Sequence, residues 1–294
     1  MQRATRIPIA GVHSPVYYVS DTSSTLDLAA SLLADTTTAT PHLTTIIADR
    51  QSAGRGRLGR TWTTPDGQAL LASTIVSLPT SFPTEMLGWL VHACALSVRD
   101  ALSPRLSPLG HTVSLKWPND VLVDGARKIC GILAQLAPAS SPFTTSAILG
   151  YGINIAQDSD HLATPQATSL YAEGDAEAGA DPTSVSHTLL AQILTGLDSR
   201  IRGLVAHGNA RDCGLADEAA NALPLLGTRI ALAKPTDPNG HPAMEGVALG
   251  LSPTGSLLVA TDDGRTHDIN AGDVLATGLP LTTVHDTKEK RANN

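Results

Sequence analysis

Aromatic residues are scarce in this sequence: two Phe, three Trp and four Tyr among 294 residues. Aliphatic side chains must therefore build the core. Three cysteines, Cys94, Cys130 and Cys213, are too scattered for a disulfide framework or a metal-ligand spacing, which points to a reducing, cytoplasmic setting. No apolar run approaches the ~18 residues of a membrane span, and no apolar signal segment opens the chain. The histidines form no H-E-x-x-H pattern, and no G-x-S-x-G nucleophile turn occurs. Basic residues are outnumbered, 20 Lys and Arg against 27 Asp and Glu, and the net charge of −7 argues against general nucleic-acid or membrane-surface binding. What remains is an ordinary globular composition, long enough for one large domain and a small one.

Against that acidic background one stretch is basic. Asp49 to Trp62 holds four arginines (Arg50, Arg55, Arg57, Arg60) and three glycines (Gly54, Gly56, Gly59). Glycine lets backbone N–H groups approach a ligand, and arginine offers a permanently charged fork that suits carboxylate and phosphate. The loop follows the β-branched run Thr44 to Ile47, so it projects from the end of a strand. Gly54, Gly56 and Gly59 match the dinucleotide fingerprint G-x-G-x-x-G. That fingerprint requires a helix directly afterwards and an acid about 20 positions on. Here a turn at Pro65-Asp66-Gly67 and a strand from Ala69 follow instead.

Before the loop, Val16 to Val19 reads as a strand, and Asp21 to Thr25 leads into Leu26, Leu28, Ala29, Leu32 and Leu33 at helical spacing. The hydroxyls there serve either as a helix cap or as a polar ligand contact beside the positive helix end. After the loop a helix is predicted from about Thr84 to Leu102, with His92 on it as a packing residue. Val113 to Val123 is a strand interrupted at Pro118, and Asp124-Gly125 a hairpin turn. Lys116 and Lys128, two of five lysines, flank that strand pair and either face water at an edge or meet an anion. Gly150 and Gly152, in the strand Ala147 to Ile155, imply close approach of a ligand or another backbone. Residues 171–183 read as an acidic mobile loop, and 183–207 as a helix. Short strands at 229–233, 244–251, 256–261 and 266–269 suggest a small five-stranded SH3-like barrel.

Taken in order, Ser24-Thr25, the loop from Gln51, Lys116-Trp117-Pro118-Asn119-Asp120, Arg127-Lys128-x-x-Gly131 and Gly150-x-Gly152-Ile153-Asn154 resemble the biotin protein ligases, over about residues 16–280. The resemblance implies an α+β fold: a mixed β-sheet with helices, related to class II aminoacyl-tRNA synthetases, followed by an SH3-like β-barrel. It implies a flexible arm at 1–14, a catalytic domain at 15–224, the small domain at 225–282 and a disordered tail at 283–294. It also implies two steps: biotin and MgATP give biotinyl-5′-adenylate, which then biotinylates a lysine of a biotin carboxyl carrier domain.

By the same resemblance, Ser24, Thr25, Gln51, Gly54, Arg55, Gly56, Arg57, Lys128, Gly131 and Gly150 are the expected biotin contacts. Arg57, Arg60, Trp62, Lys116, Asn119, Asp120 and Asn154 fall on the ATP and adenylate side, Asp120 toward Mg²⁺. Arg57 and Lys128 carry the catalytic expectation. Leu26 departs from the Asn that often follows Ser-Thr in the family, and 171–183 is longer and more acidic than the family pattern. The short N-terminal arm implies no helix-turn-helix and no DNA role; a cytoplasmic monomer or weak homodimer without membrane contact is expected. Two alternatives stay open: a lipoate or octanoate ligase of the same fold, and a nucleic-acid-binding module using the basic loop.

Overall fold

The computed structural model describes residues 4–35, 37–141, 144–233 and 242–279. Its first unit alternates strands and helices: β1 (Thr5–Ile7), β2 (Val16–Thr22), α1 (Thr25–Ala34), β3 (Thr45–Gln51), β4 (Ala69–Pro79), α2 (Gly88–Leu106), β5 (Val113–Lys116), β6 (Asp120–Val123), β7 (Arg127–Ser141) and β8 (Thr144–Asn154). Helices α3 (Ala176–Ala180), α4 (Pro182–His207) and α5 (Leu215–Ala222) follow. The eight strands form one mixed sheet in the order β1-β2-β3-β4-β8-β7-β6-β5. Among its strand pairs only β2 and β3 are parallel, joined across α1.

Both faces of the sheet centre are covered, which explains the nearly unbroken apolar run of β4. Alternate residues serve opposite faces. Ile46, Ile75 and Ile148 pack beneath α1 with Leu26, Ala29 and Leu33. Ile47, Val76 and Leu149 join the larger core that α2, α4 and α5 cover. Ile75 and Ile148 oppose each other in register, and both are inaccessible. Truncating either to Ala would cost about 2–5 kcal/mol. The hairpin at Asp124-Gly125 turns as expected, with φ of 50° and 67° at its two central residues.

The second unit is an antiparallel five-stranded sheet: β9 (Arg229–Ala233), β10 (Pro242–Leu251), β11 (Leu257–Ala260), β12 (Thr266–Ile269) and β13 (Asp273–Leu279), in the order β12-β11-β10-β9-β13. Its turn at 252–256 sits on the start of α2. Trp89 Nε1 donates to Pro253 O (2.8 Å), and buried His92 bonds Gly255 O (2.8 Å). Burial holds the His92 imidazole below its ordinary pKa, consistent with a packing role.

Several expectations need correction. The stretch 1–14 is not wholly a loose arm: β1 pairs with β2, and Ile9 is buried. Residues 171–183 are not a loose loop but turns, α3 and the capped start of α4. Their acids have partners, since Arg105 bonds Asp175 (2.6 Å) and Arg127 bonds Glu173 (2.6 Å). Strand β13 lies beyond the four strands the pattern singled out. The expected tail at 283–294 lies outside the described residues. Among the described residues no helix is long and apolar enough to cross a membrane.

Candidate active site

Four elements end around one cavity of about 520 Å³: the start of α1, the loop after β3, the β5–β7 hairpins and the end of β8. Ser24 occupies the N-cap position of α1, but its hydroxyl caps nothing. Gln51 does the capping instead: its Oε1 accepts from Thr25 N (2.8 Å) and Thr25 Oγ1 (3.0 Å). Ser73 Oγ in turn donates to Thr25 Oγ1 (2.8 Å). The Ser24 Oγ is therefore left buried in the cavity wall, without a partner among the described residues. A buried hydroxyl in that state costs stability unless a ligand completes it. Of the two roles open to the hydroxyl cluster, capping belongs to Gln51.

The basic loop after β3 folds as a small hairpin. Trp62 N donates to Gly54 O (2.9 Å) and Gly56 N to Arg60 O (2.7 Å). Leu58 and Gly59 turn the chain with φ of 58° and 74°. Gly54 does not line the cavity; a Cβ there would lie 2.3 Å from Trp62 O, so only glycine lets the hairpin close. Ion pairs fasten the hairpin on two sides. Arg55 reaches Asp27 of α1 (2.6 Å), and Arg60 pairs with Asp273 of β13. Arg57 donates to Asn119 Oδ1 (3.1 Å) and lies 4.0 Å from Asp273. Burial and nearby Arg60 pull the Arg57 guanidinium below its ordinary pKa, against Asp273 and Asp120, which hold it up. It still keeps its proton, as arginine in proteins does.

The floor is made of strand glycines. Gly131 and Gly152 face each other in register across β7 and β8. A Cβ on Gly152 would lie 2.5 Å from Trp62 Cε2, and one on Gly131 3.0 Å from Trp62 Cζ3. The close approach that the glycines signalled is thus to the Trp62 indole. Gly150 makes room for Leu26, whose side chain would be 2.9 Å from a Cβ there. Lys128 Nζ stands 5.6 Å from the Trp62 ring centroid and 2.7 Å from Asp120 Oδ1, at an angle that leaves Oδ1 without an aligned hydrogen bond. Asn119 fixes the turn before β6, donating to Ile132 O (2.6 Å). Lys116 ends edge strand β5 and turns to the cavity rather than away from it.

Except for Gly54, every residue expected to contact biotin or the adenylate lines this cavity. Asn154 is braced within the protein, donating to Thr168 O (2.9 Å) and accepting from Gln157 (3.2 Å). Sequence reasoning missed the segment carrying Ala163, Thr164 and Ala167, and the pair Asp273-Val274. No local signal links Asp273 to a loop more than 200 positions earlier. The lining carries five cations (Arg55, Arg57, Arg60, Lys116, Lys128) against two acids (Asp120, Asp273). Such a lining suits a ligand that combines a neutral group with donors and acceptors and a polyanion.

Residues 19–154 match the model of the biotin/lipoate A/B protein ligase family, and 236–275 that of the biotin protein ligase C-terminal domain. The biotin–[acetyl-CoA-carboxylase] ligase of Mycobacterium tuberculosis is 34% identical over 230 residues, 78% of this chain and 77% of that protein. The ligase of the same name from Paracoccus denitrificans is 30% identical over 224 residues, 75% and 85% of the two chains. The structure of the Aquifex aeolicus biotin protein ligase in complex with biotin and ATP superposes with a TM-score of 0.62 at 25% identity, covering 90% of this chain and 99% of that one. With 34% identity to the Mycobacterium tuberculosis ligase over more than three quarters of each chain, the chain belongs to the biotin protein ligase family.

Proposed function

We propose that this protein is an ATP-dependent biotin protein ligase serving the biotin carboxyl carrier domain of a carboxylase of the acetyl-CoA class. The observation that carries the proposal is the mixed lining of the cavity. One cavity wall carries both the unpartnered Ser24 hydroxyl with the Gln51 amide and the cations Arg55, Arg57, Arg60, Lys116 and Lys128. A ureido head group needs fixed donors and acceptors; a nucleotide triphosphate needs positive charge. The close ligases of Mycobacterium and Paracoccus, and the Aquifex complex with biotin and ATP, support the same assignment.

In the first step a biotin carboxylate oxygen attacks the α-phosphorus, and the bond to pyrophosphate breaks. Two anions approach each other there, and Lys128 and Arg57 offset the charge that accumulates. Asp120 holds Lys128 in place from one side. In the second step the carrier lysine attacks the acyl carbon, AMP leaves and an amide forms. Water would destroy the mixed anhydride, so the Arg57 hairpin and Trp62 act as its cover. Asp120 also suits Mg²⁺, a cation that takes one or two carboxylates and completes its shell with phosphate oxygens and water. Bound with ATP, the ion would neutralise phosphate charge. We place the enzyme in the cytoplasm as a monomer or weak homodimer.

The test is mass spectrometry of a purified carrier domain incubated with the protein, biotin and MgATP. A gain of one biotinyl group, absent without ATP, is the expected result. A gain only when lipoate replaces biotin would overturn the assignment.

A further inference from the structure

The segment between β8 and α3, residues 155–175, runs along the cavity edge and returns beside the start of β7. It grips one residue of β7 by both backbone groups. Lys128 N donates to Gln166 O (2.7 Å), and Thr168 N donates to Lys128 O (2.8 Å). The fastening point of this strap is Glu173, whose side chain is only 6% exposed. Its Oε1 accepts from Thr168 Oγ1 (2.6 Å) and from Arg127 Nε (2.6 Å), and its Oε2 from Arg127 Nη2 (2.8 Å). His111 Nε2 lies 3.3 Å from the same Oε2, while His111 Nδ1 bonds Asp124 Oδ2 (2.8 Å).

His111, Asp124 and Glu173 have the donor types of a metal site, with ligand atoms within 4.8 Å of one another. Arg127, however, bonds both carboxylates, so the cation of this cluster is already part of the protein. Burial pushes the Glu173 carboxyl up, but Arg127, Thr168 and His111 together outweigh it, and the group stays below the usual carboxylate range. Glu173 therefore ties the residue before Lys128 to the residue that bonds the Lys128 carbonyl.

We infer that Glu173 is a positioning residue for adenylate formation: through Arg127 and Thr168 it fixes the backbone of Lys128, and with it the reach of Nζ into the cavity. The inference rests on the ligase assignment and gives the acidic stretch a function. Its consequence is selective. Lys128 serves the step in which two anions meet, whereas transfer to the carrier lysine starts from an adenylate already made. A small displacement of Nζ should slow the first step far more than the second.

The full-length Glu173→Gln variant separates the two. Adenylate formation from biotin and MgATP is measured in a single turnover, and transfer to the carrier domain is measured from supplied biotinyl-5′-adenylate. Both rates are scaled to the folded fraction from thermal melting. Adenylate formation should fall at least about tenfold while transfer stays within about twofold. Arg127→Gln should behave alike, and the double variant should be hardly worse than the poorer single, as for residues acting through one route. Equal losses in both steps, parental adenylate formation, or additive losses in the double variant would overturn the inference. If Glu173→Gln does not fold, Thr168→Val removes one link without stranding a charge. It should still slow adenylate formation selectively, and an unchanged rate would equally overturn the inference. Should the parent protein make no adenylate, the ligase assignment fails, not the coupling.

Discussion

The floor and the cover of the cavity hold their shape by different means. The floor is backbone: Gly131 and Gly152 sit opposite each other in a ladder, and the sheet around them is buried on both faces. The cover is charge: Arg55, Arg57 and Arg60 tie a short hairpin to Asp27 and Asp273 on different elements. Exposed ion pairs contribute about 0–1 kcal/mol each, whereas a buried ladder cannot shift without disturbing the core. A cavity that must protect a reactive anhydride and then release it to a carrier needs one rigid side and one that opens. Trp62 joins the two, since its chain belongs to the cover and its ring lies on the floor.

Substitutions on the two sides should differ in size and in kind. The largest effect is expected on the floor. Lys128→Ala should lower single-turnover adenylate formation by about 10²–10³-fold, as loss of a fixed transition-state charge partner does. A near-parental rate would remove Lys128 from the chemistry. Next comes Gly152→Ala, which puts a methyl group where the Trp62 indole lies. The ring must leave, and the cover loses its seat. Tryptophan emission should shift to the red, with activity lower by about 10- to 100-fold. Unchanged emission would mean that floor and cover are not joined through Trp62.

Arg57→Gly opens the cover, while Lys128 remains to offset charge in the first step. Adenylate should still form, but it should escape about tenfold faster, the loss expected for one charged hydrogen bond. Escaped adenylate labels bystander lysines, so mass spectrometry of an added inert protein reads the effect. Release no faster than in the parent would refute a retaining role. The smallest effect belongs to Asp273→Asn, which loosens Arg57 and Arg60 together. Adenylate release should rise only about two- to threefold, and it should lose much of its dependence on added salt, since exposed pairs are the ones that salt screens. An unaltered salt dependence would show that these pairs do not hold the cover.

Residues near each other in sequence declared their structure most clearly. The hydroxyls before α1, the glycine and arginine loop, Asp124-Gly125 and the periodic apolar stripe of α4 are all patterns of a few turns, and each formed the expected element. Gly131, Gly150 and Gly152 announced a close approach but not its partner, because Trp62 and Leu26 reach them from other elements. The 171–183 stretch misled because acids among Ala and Gly read as solvated. Arg105 and Arg127, which pair with Asp175 and Glu173, lie 46 to 70 positions away.

The sequence alone determined the type of fold, the order of the elements and the chemical character of the cavity. Periodicity, turn residues and the local concentration of arginine are properties of neighbours along a chain, and they act before any long-range contact forms. Only the tertiary structure decided which groups were already paired. It gave the α1 cap to Gln51 and left Ser24 free, put Asp273 against two loop arginines, and placed Glu173 behind Lys128. Those outcomes depend on distances between residues far apart in sequence, set when the strands take their register and the second sheet comes to rest on α2.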